Sequence, residues 1–281
     1  MLRWKIGDVT VTCVVESTNS DLDPMLFPEL DRSALEAISW LKPHFVDADG
    51  KLVLSFQAFL VESCGRRILV DTCVGNDKER PLPDWNHRSG PFLQDLARAG
   101  ATRESIDLVL CTHLHIDHVG WNTMLVDGRW VPTFPNARYL FGRVEWDFWK
   151  DQPEDLGPVI SDSVRPIIDA GLADLVETDY RLTDEIRLEA TPGHTPGHVS
   201  VRIRSRGEEA VISGDIMHHP CQIAHPEWSP TFDHDAARAR LTRRAFLEGC
   251  AGAPVLFIGT HFAAPTAGRV VRDGDSYRFV V

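Results

Sequence analysis

The stretch Thr112-His113-Leu114-His115-Ile116-Asp117-His118-Val119-Gly120 constrains this chain more than any other. Three histidines and an aspartate fall within six residues, directly after the apolar run Leu108-Val109-Leu110-Cys111. An apolar strand that ends in a dense set of imidazole and carboxylate donors is a poor core and a good metal site, because such donors together suit Zn, and also Fe or Mn. Alternate residues of an extended segment point the same way, so His113 and His115 can reach one ion. Asp117 and His118 follow once the chain has begun to turn, and can reach a second ion beside it. A lone loop histidine is ordinarily solvated or hydrogen-bonded, but four ligand types at this spacing rarely coincide without a metal. The cluster is still only part of a dinuclear site, so the remaining ligands must come from elsewhere.

Three later segments each place a ligand-type residue just after a strand. Ala190-Thr191-Pro192-Gly193-His194-Thr195-Pro196-Gly197-His198 holds a histidine in a tight loop whose Pro and Gly residues let the backbone approach a site. Val211-Ile212-Ser213-Gly214-Asp215 ends an apolar strand on a carboxylate that can bridge two cations. Leu256-Phe257-Ile258-Gly259-Thr260-His261 repeats the form with a histidine. Each alone reads more readily as a supporting or solvated residue; joined to the first cluster, the three are hard to dismiss.

The remaining pattern is strands in clusters with helices between, occurring twice. Strands are expected at Asp8 to Glu16, Leu52 to Val61, Arg67 to Asp71, Leu108 to Thr112, Arg129 to Val131 and Ala137 to Phe141. A second group is expected at Asp174 to Glu177, Ile186 to Ala190, Val199 to Ile203, Ala210 to Ser213, Val255 to Ile258 and Val270 to Val280. Helices are expected at Ser33 to Leu41, Phe92 to Ala99, Val144 to Lys150 and Val159 to Ala170, the last interrupted by Pro166. Another runs from an Asp233 N-cap through Leu247 with Ala237, Leu241 and Ala245 on one face, and Gly249 ends it. Two sheets with helices on their outer faces account for this order. Residues 17–50, punctuated by Pro24, Pro28 and Pro43, form a long connection of the kind that often serves as a lid. With no linker in view, the 281 residues are expected to form one domain, 1–281.

Composition narrows the function. A net charge of −12 lacks the basic face that nucleic-acid binding needs and opposes docking on anionic lipid. The N-terminus has no apolar h-region, and no stretch approaches the ~18 apolar residues of a membrane span. The six scattered cysteines therefore read as reduced, buried thiols of a cytoplasmic protein, with Cys221 nearest the site and expected to pack there.

The set His113-x-His115-x-Asp117-His118, His194, Asp215 and His261 resembles the metal-binding pattern of the metallo-β-lactamase superfamily, over about Leu69 to His261. Leu69-Val70-Asp71-Thr72 resembles that family's early acidic motif, whose Asp supports the His loop from behind. The resemblance implies an α/β fold, the four-layer αββα sandwich, with the site at one edge between the sheets and an extended N-terminal segment before them. It implies that His113, His115 and His194 hold one ion, that Asp117, His118 and His261 hold the other, and that Asp215 bridges them. Two divalent ions follow, Zn by default, with Mn, Fe or Co accepted by the same ligands. A hydroxide between the ions would be the nucleophile, since bound water can reach a pKa of ~7, and Asp117 can orient it and carry a proton to the leaving group.

Within the family, Asp215 stands where common zinc β-lactamases have Cys, the His cluster lacks the Glu of the flavin-linked diiron reductases, and Trp121 follows Gly120 where glyoxalase II-like thioesterases read differently. The chain is most similar to the branch of N-acyl-homoserine-lactone lactonases and methyl parathion hydrolase-like phosphotriesterases. That implies a hydrolase opening a lactone or a related ester, with phosphotriesters as the alternative and a thioesterase or diiron redox enzyme behind them. The lactonases commonly carry Tyr three residues after the bridging Asp; His218 takes that place here and leans toward the phosphotriesterases. His218 either donates a hydrogen bond to the substrate oxygen or packs behind the ligands, and the two readings stand level. Trp121, Phe27 and Phe45 are candidates for an apolar pocket wall around a small-molecule substrate. His198 is expected to buttress the His194 loop, while His44, His87, His225 and His234 are expected at the surface or in structural roles. A homodimer is common among similar proteins.

Overall fold

The computed structural model describes residues 1–281 apart from 21, 23–25, 29 and 156. Pro24 and parts of the expected lid thus lie outside the described residues. Strands β1 (Arg3–Ile6), β2 (Val9–Asn19), β3 (Leu54–Ser63), β4 (Arg66–Val70) and β5 (Leu108–Leu110) follow one another across a first sheet. After a separate hairpin of β6 (Thr123–Val126) and β7 (Arg129–Pro132), β8 (Arg138–Gly142) and β9 (Ala173–Val176) complete that sheet beside β5. The second sheet runs in chain order through β10 (Ile186–Ala190), β11 (Val199–Ser205), β12 (Glu208–Ile212), β13 (Val255–Ile258), β14 (Ala267–Asp273) and β15 (Ser276–Val280).

The central strands are buried on both faces, which is why they read as continuous apolar runs. Leu108 and Leu110 of β5 and Ala210 and Ile212 of β12 enter one core drawn from both sheets, whereas Val109 and Val211 face a second core. That second core takes Leu96 of α2 (Phe92–Arg98), Trp146 of α3 (Arg143–Trp149), and Phe246 and Leu247 of a long C-terminal helix. Helices therefore close the outer faces of two stacked sheets, the αββα arrangement. Shorter helices lie at Arg32–Ala37, Arg165–Asp169 and Cys221–Ala224. Among the described residues no helix is long and apolar enough to cross a membrane.

Four helical expectations are corrected. The long helix, α6 in chain order, spans Ala236–Ala251 and is capped by Asp235, whose side chain accepts the Arg238 N–H, because Asp233 is engaged elsewhere. Its buried side is Ala239, Arg243, Phe246, Leu247 and Cys250, while Leu241 is 65% exposed. The small Ala237 and Ala245 offer less apolar area than Phe246 and Leu247, so the heavier residues set which side turns inward. Gly249 lies within the helix facing open space, where it costs only its weak propensity, about 1 kcal/mol. Pro166 starts a helix instead of breaking one: it occupies the first turn of Arg165–Asp169, where no N–H is needed, after a π-turn at Ile160–Val164.

Sheet register delivers the ligand loops to one edge. β4 and β5 pair in parallel with Val70 opposite Leu110, and β12 and β13 in parallel with Ile212 opposite Ile258. Asp71 and the His cluster thus leave neighbouring carboxyl ends of one sheet, and Asp215 and His261 leave those of the other. Antiparallel pairing of Ala190 with Val199 turns residues 191–198 into a hairpin loop at the same edge. Backbone bonds join the sheets there, from Val199 N–H to the Thr112 carbonyl (3.1 Å) and from Ser55 N–H to the His261 carbonyl (3.0 Å).

Candidate metal centre

The seven ligand-type residues converge. His113, His115 and His194 form one group, Asp117, His118 and His261 another, each with donor atoms within 4.8 Å of one another. Asp215 stands between them: its Oδ2 lies 3.2 Å from His118 Nε2, 3.1 Å from His261 Nε2, 3.5 Å from His194 Nε2 and 3.8 Å from His113 Nε2. All but His115 and Asp117 are almost fully buried.

Hydrogen bonds behind the rings orient them. Asp71 accepts the Thr112 N–H at 2.7 Å and the Thr112 hydroxyl at 3.0 Å, and that hydroxyl oxygen lies 3.1 Å from His113 Nδ1. His261 Nδ1 lies 3.0 Å from the Ser55 carbonyl and His194 Nδ1 2.9 Å from Asp233 Oδ1, while His118 Nδ1 sits 3.0 Å from Asp71 Oδ2 without hydrogen-bond alignment. An Nδ1 facing an oxygen acceptor carries the proton, so each Nε2 turns a bare lone pair toward the centre. Two such lone pairs meet between His118 and His261 at 3.2 Å. Facing lone pairs repel unless a cation lies between them. His113 Nε2 and Asp215 Oδ1 are buried without any partner. The donor set therefore fits two divalent cations.

The electrostatics agree. Burial pushes His113, His115 and His194 well below the ordinary imidazole range, and neighbouring imidazoles add to the effect, leaving neutral ligands. Burial acts likewise on His118 and His261, but Asp215 and Asp117 outweigh it and hold both above that range, so these carboxylates draw a positive charge to the two rings, which a metal ion would supply in place of the proton. Burial also opposes ionisation of Asp215, yet His118, His261 and His218 outweigh it and hold the carboxyl well below its usual value.

His198 backs Asp215 instead of merely propping its own loop. Its Nε2 accepts the Asp215 N–H at 2.7 Å while its Nδ1 faces the Thr191 carbonyl at 3.1 Å. Gly214 (φ +56°) makes this approach feasible, since a Cβ there would meet His198 Nε2 at 2.5 Å. His218 sits in the centre, its Nε2 3.1 Å from Asp215 Oδ2 and its ring stacked on His261 at 5.5 Å.

A cavity of about 340 Å³ opens over Asp117, His194, Asp215, His218 and His261. Its wall is Leu22, Leu26, Leu54, Phe56, Trp85 and Phe232. The three aromatic residues expected there lie elsewhere, which corrects that expectation. Trp121 stacks on Phe92 at 5.5 Å and donates its indole N–H to Glu16 at 2.7 Å. Phe45 packs on Phe262 and Phe279, and Phe27 is 2% exposed within the outer core. Nearness in sequence to a metal loop is a poor guide to which way a side chain turns. Cys221 is buried in the outer core and its thiol is pushed up by that burial. Sequence reasoning missed Asp233, whose acidic character before a helix read as a cap.

The chain belongs to the Metallo-beta-lactamase superfamily, which it matches over residues 57–249. It is 28% identical over 174 residues to an N-acyl homoserine lactonase from a Bacillus species, a match covering 57% of this chain and 63% of that protein, so it spans less than two thirds of that relative. Its structure is similar to AbOPH, a hydrolase in the beta lactamase superfamily, at 26% identity with a TM-score of 0.81, over 99% of this chain and 96% of the other. AidC, a dizinc quorum-quenching lactonase in complex with a product, shares the fold at 22% identity and a TM-score of 0.80, again over 99% and 96%. Family and donor set together support a dinuclear metal site.

Proposed function

We propose that the protein is a dinuclear metal-dependent hydrolase that opens a lactone or cleaves a related neutral ester. The observation that carries this reading is Asp215, whose Oδ2 lies within 3.8 Å of histidines from both ligand groups and directly beneath an apolar cavity. His113, His115 and His194 would hold one ion, Asp117, His118 and His261 the other, and Asp215 both. Two divalent cations, Zn by default, supply a water of lowered pKa and polarise the substrate's carbonyl oxygen.

The chain's own residues do the rest. Asp117 keeps its carboxylate partly exposed at the cavity floor, placed to take a proton and return it to the leaving alkoxide. His218 Nε2 faces the same floor and can donate to the substrate oxygen. Leu22, Leu26, Phe56 and Trp85 exclude water and take up an apolar substituent. Leu22 and Leu26 come from the 17–50 segment, which supports its reading as a lid over a single domain. Among the described residues no Lys or Arg lines the cavity. A substrate bearing a carboxylate or a phosphodiester would meet no cationic side chain there, which favours neutral lactones and esters. A neutral phosphotriester fits the same wall and is the second reading, favoured by His218. We infer a cytoplasmic setting from the six free cysteines.

The test is a hydrolysis screen of metal-replete protein across lactones, aryl esters, phosphotriesters, thioesters and β-lactams, ranked by kcat/KM. Neutral lactones or aryl esters should lead. Fastest turnover of an anionic β-lactam, or full activity after metal removal, would overturn the proposal.

A further inference from the structure

The loop that carries His194 is gripped by the chain entering α6. His234 N–H donates to the His194 carbonyl and Asp235 N–H to the Gly193 carbonyl, both at 2.9 Å. The Thr242 hydroxyl donates to the Pro192 carbonyl at 2.7 Å. Gly193 (φ +137°) lies so close to the helix that a Cβ there would meet the Ala239 nitrogen at 2.3 Å. Inside this grip Asp233 uses both oxygens: Oδ1 accepts from His194 Nδ1 at 2.9 Å, and Oδ2 faces Arg243 Nη2 at 3.4 Å. Both side chains are completely buried. Arg243 is itself immobilised, donating to the carbonyls of Ile216 (2.8 Å), Pro226 (2.8 Å) and Trp228 (3.0 Å).

The other ligands show what is particular here. His113 is backed by a hydroxyl and His261 by a carbonyl, both neutral acceptors. His194 is backed by a hydrogen-bonded carboxylate, Asp233, and His118 lies 3.0 Å from another, Asp71, one in each ligand group. A carboxylate that accepts the outer N–H of an imidazole makes the inner nitrogen a stronger donor and fixes its tautomer. Each ion would thus have one histidine with a carboxylate at its outer nitrogen. Arg243 faces Asp233 across 3.4 Å and ties it to Ile216, the residue that follows Asp215.

We propose that Asp233, held by Arg243, is a positioning residue that sets the affinity of the site formed by His113, His115 and His194, the counterpart of Asp71 at the other site. This inference rests on the metal-centre reading above. The experiment titrates metal-free wild type, Asp233→Asn and Asp71→Asn with Co²⁺ against a competing chelator, following the visible absorption and the number of ions bound. Asp233→Asn should weaken the ion of the His194 group about 10- to 100-fold and leave the other within about threefold, whereas Asp71→Asn, which also releases Thr112 behind His113, should weaken the ion of the His118 group the more. Asp233→Glu should restore part of the loss. Should metal-free Asp233→Asn lose its near-ultraviolet circular dichroism, Asp233→Ser, which keeps a neutral acceptor in less volume, reads the same quantity. Two ions bound by a folded variant with wild-type affinities would overturn the inference, as would equal weakening of both. Fewer than two ions on the wild type would overturn the metal-centre reading instead.

Discussion

His113 and His218 both face the centre, yet their surroundings assign them different work. His113 Nε2 is buried without a partner, so its lone pair has no use other than ligation. His113→Ala, or Asp215→Ala, should therefore strip at least one ion and lower kcat/KM by more than about 100-fold, beyond what loss of a supporting partner costs. Elemental analysis beside a rate assay decides it, and two retained ions would contradict the assignment. His218 lies against the cavity and shares Asp215 Oδ2 with His118 and His261. If it serves the substrate oxygen, His218→Gln should keep both ions and lose roughly 100- to 1,000-fold in kcat, the scale of a lost oxyanion donor. Loss of metal from that variant would instead make His218 a ligand.

Elements away from the centre hold its scaffold. The π-turn Ile160–Val164 places Asp162 between two buried cations, with Arg80 donating at 2.7 and 3.0 Å and Lys78 Nζ 3.5 Å away. Lys78 also donates to Thr123 at 2.6 Å and lies 3.5 Å from the centre of the Trp130 ring, while burial takes its ammonium down to about 7. Removing the shared anion leaves charge uncompensated in the interior, so Asp162→Ala should cost about 3–5 kcal/mol. Urea unfolding measures this, and a change below about 1 kcal/mol would mean that the network carries little. The sequence offered no trace of it, because Lys78, Arg80 and Asp162 come from irregular segments without periodicity. Strands β5, β12 and β13 were legible for the opposite reason: burial on both faces writes an unbroken apolar run. Arg243 hid within a helix because an inward-facing charge contradicts the apolar-stripe rule, and its three carbonyl partners with Asp233 explain it.

Across the whole molecule, buried neutral histidines couple stability to pH. His219 donates from Nε2 to the Phe45 carbonyl at 2.7 Å and accepts the Cys221 N–H at Nδ1 at 3.1 Å, leaving no site for a second proton. Burial takes it down to about 4, as it does His198. An unfolded histidine binds its proton near ~6.5, so the unfolded chain gains protons first as pH falls. Each such residue therefore removes stability between about pH 6.5 and about 4, by ~1.4 kcal/mol per pH unit. His118 and His261, held above the ordinary range, act in the opposite sense, so the comparison is with a variant. Metal-free His219→Gln should show a shallower fall in urea-unfolding free energy across that window than wild type; parallel curves would refute it. The convergence of the seven residues at one centre was readable from sequence because each follows a strand end. The cavity wall was not, since Leu22, Leu26, Trp85 and Phe232 sit in segments outside the sheets.

The parallel register of β12 and β13 has a mechanical consequence. Asp215 and His261 each stand three residues past the paired ends Ile212 and Ile258, so their separation is indexed to the ladder. One inserted residue in either loop would shift a ligand by about 3.3 Å, more than a metal–ligand bond can absorb. Leu22 and Trp85 belong to no ladder, so their positions are not indexed to it. Bond breaking and substrate choice are thereby separate adjustments, the first locked to strand count and the second open to remodelling.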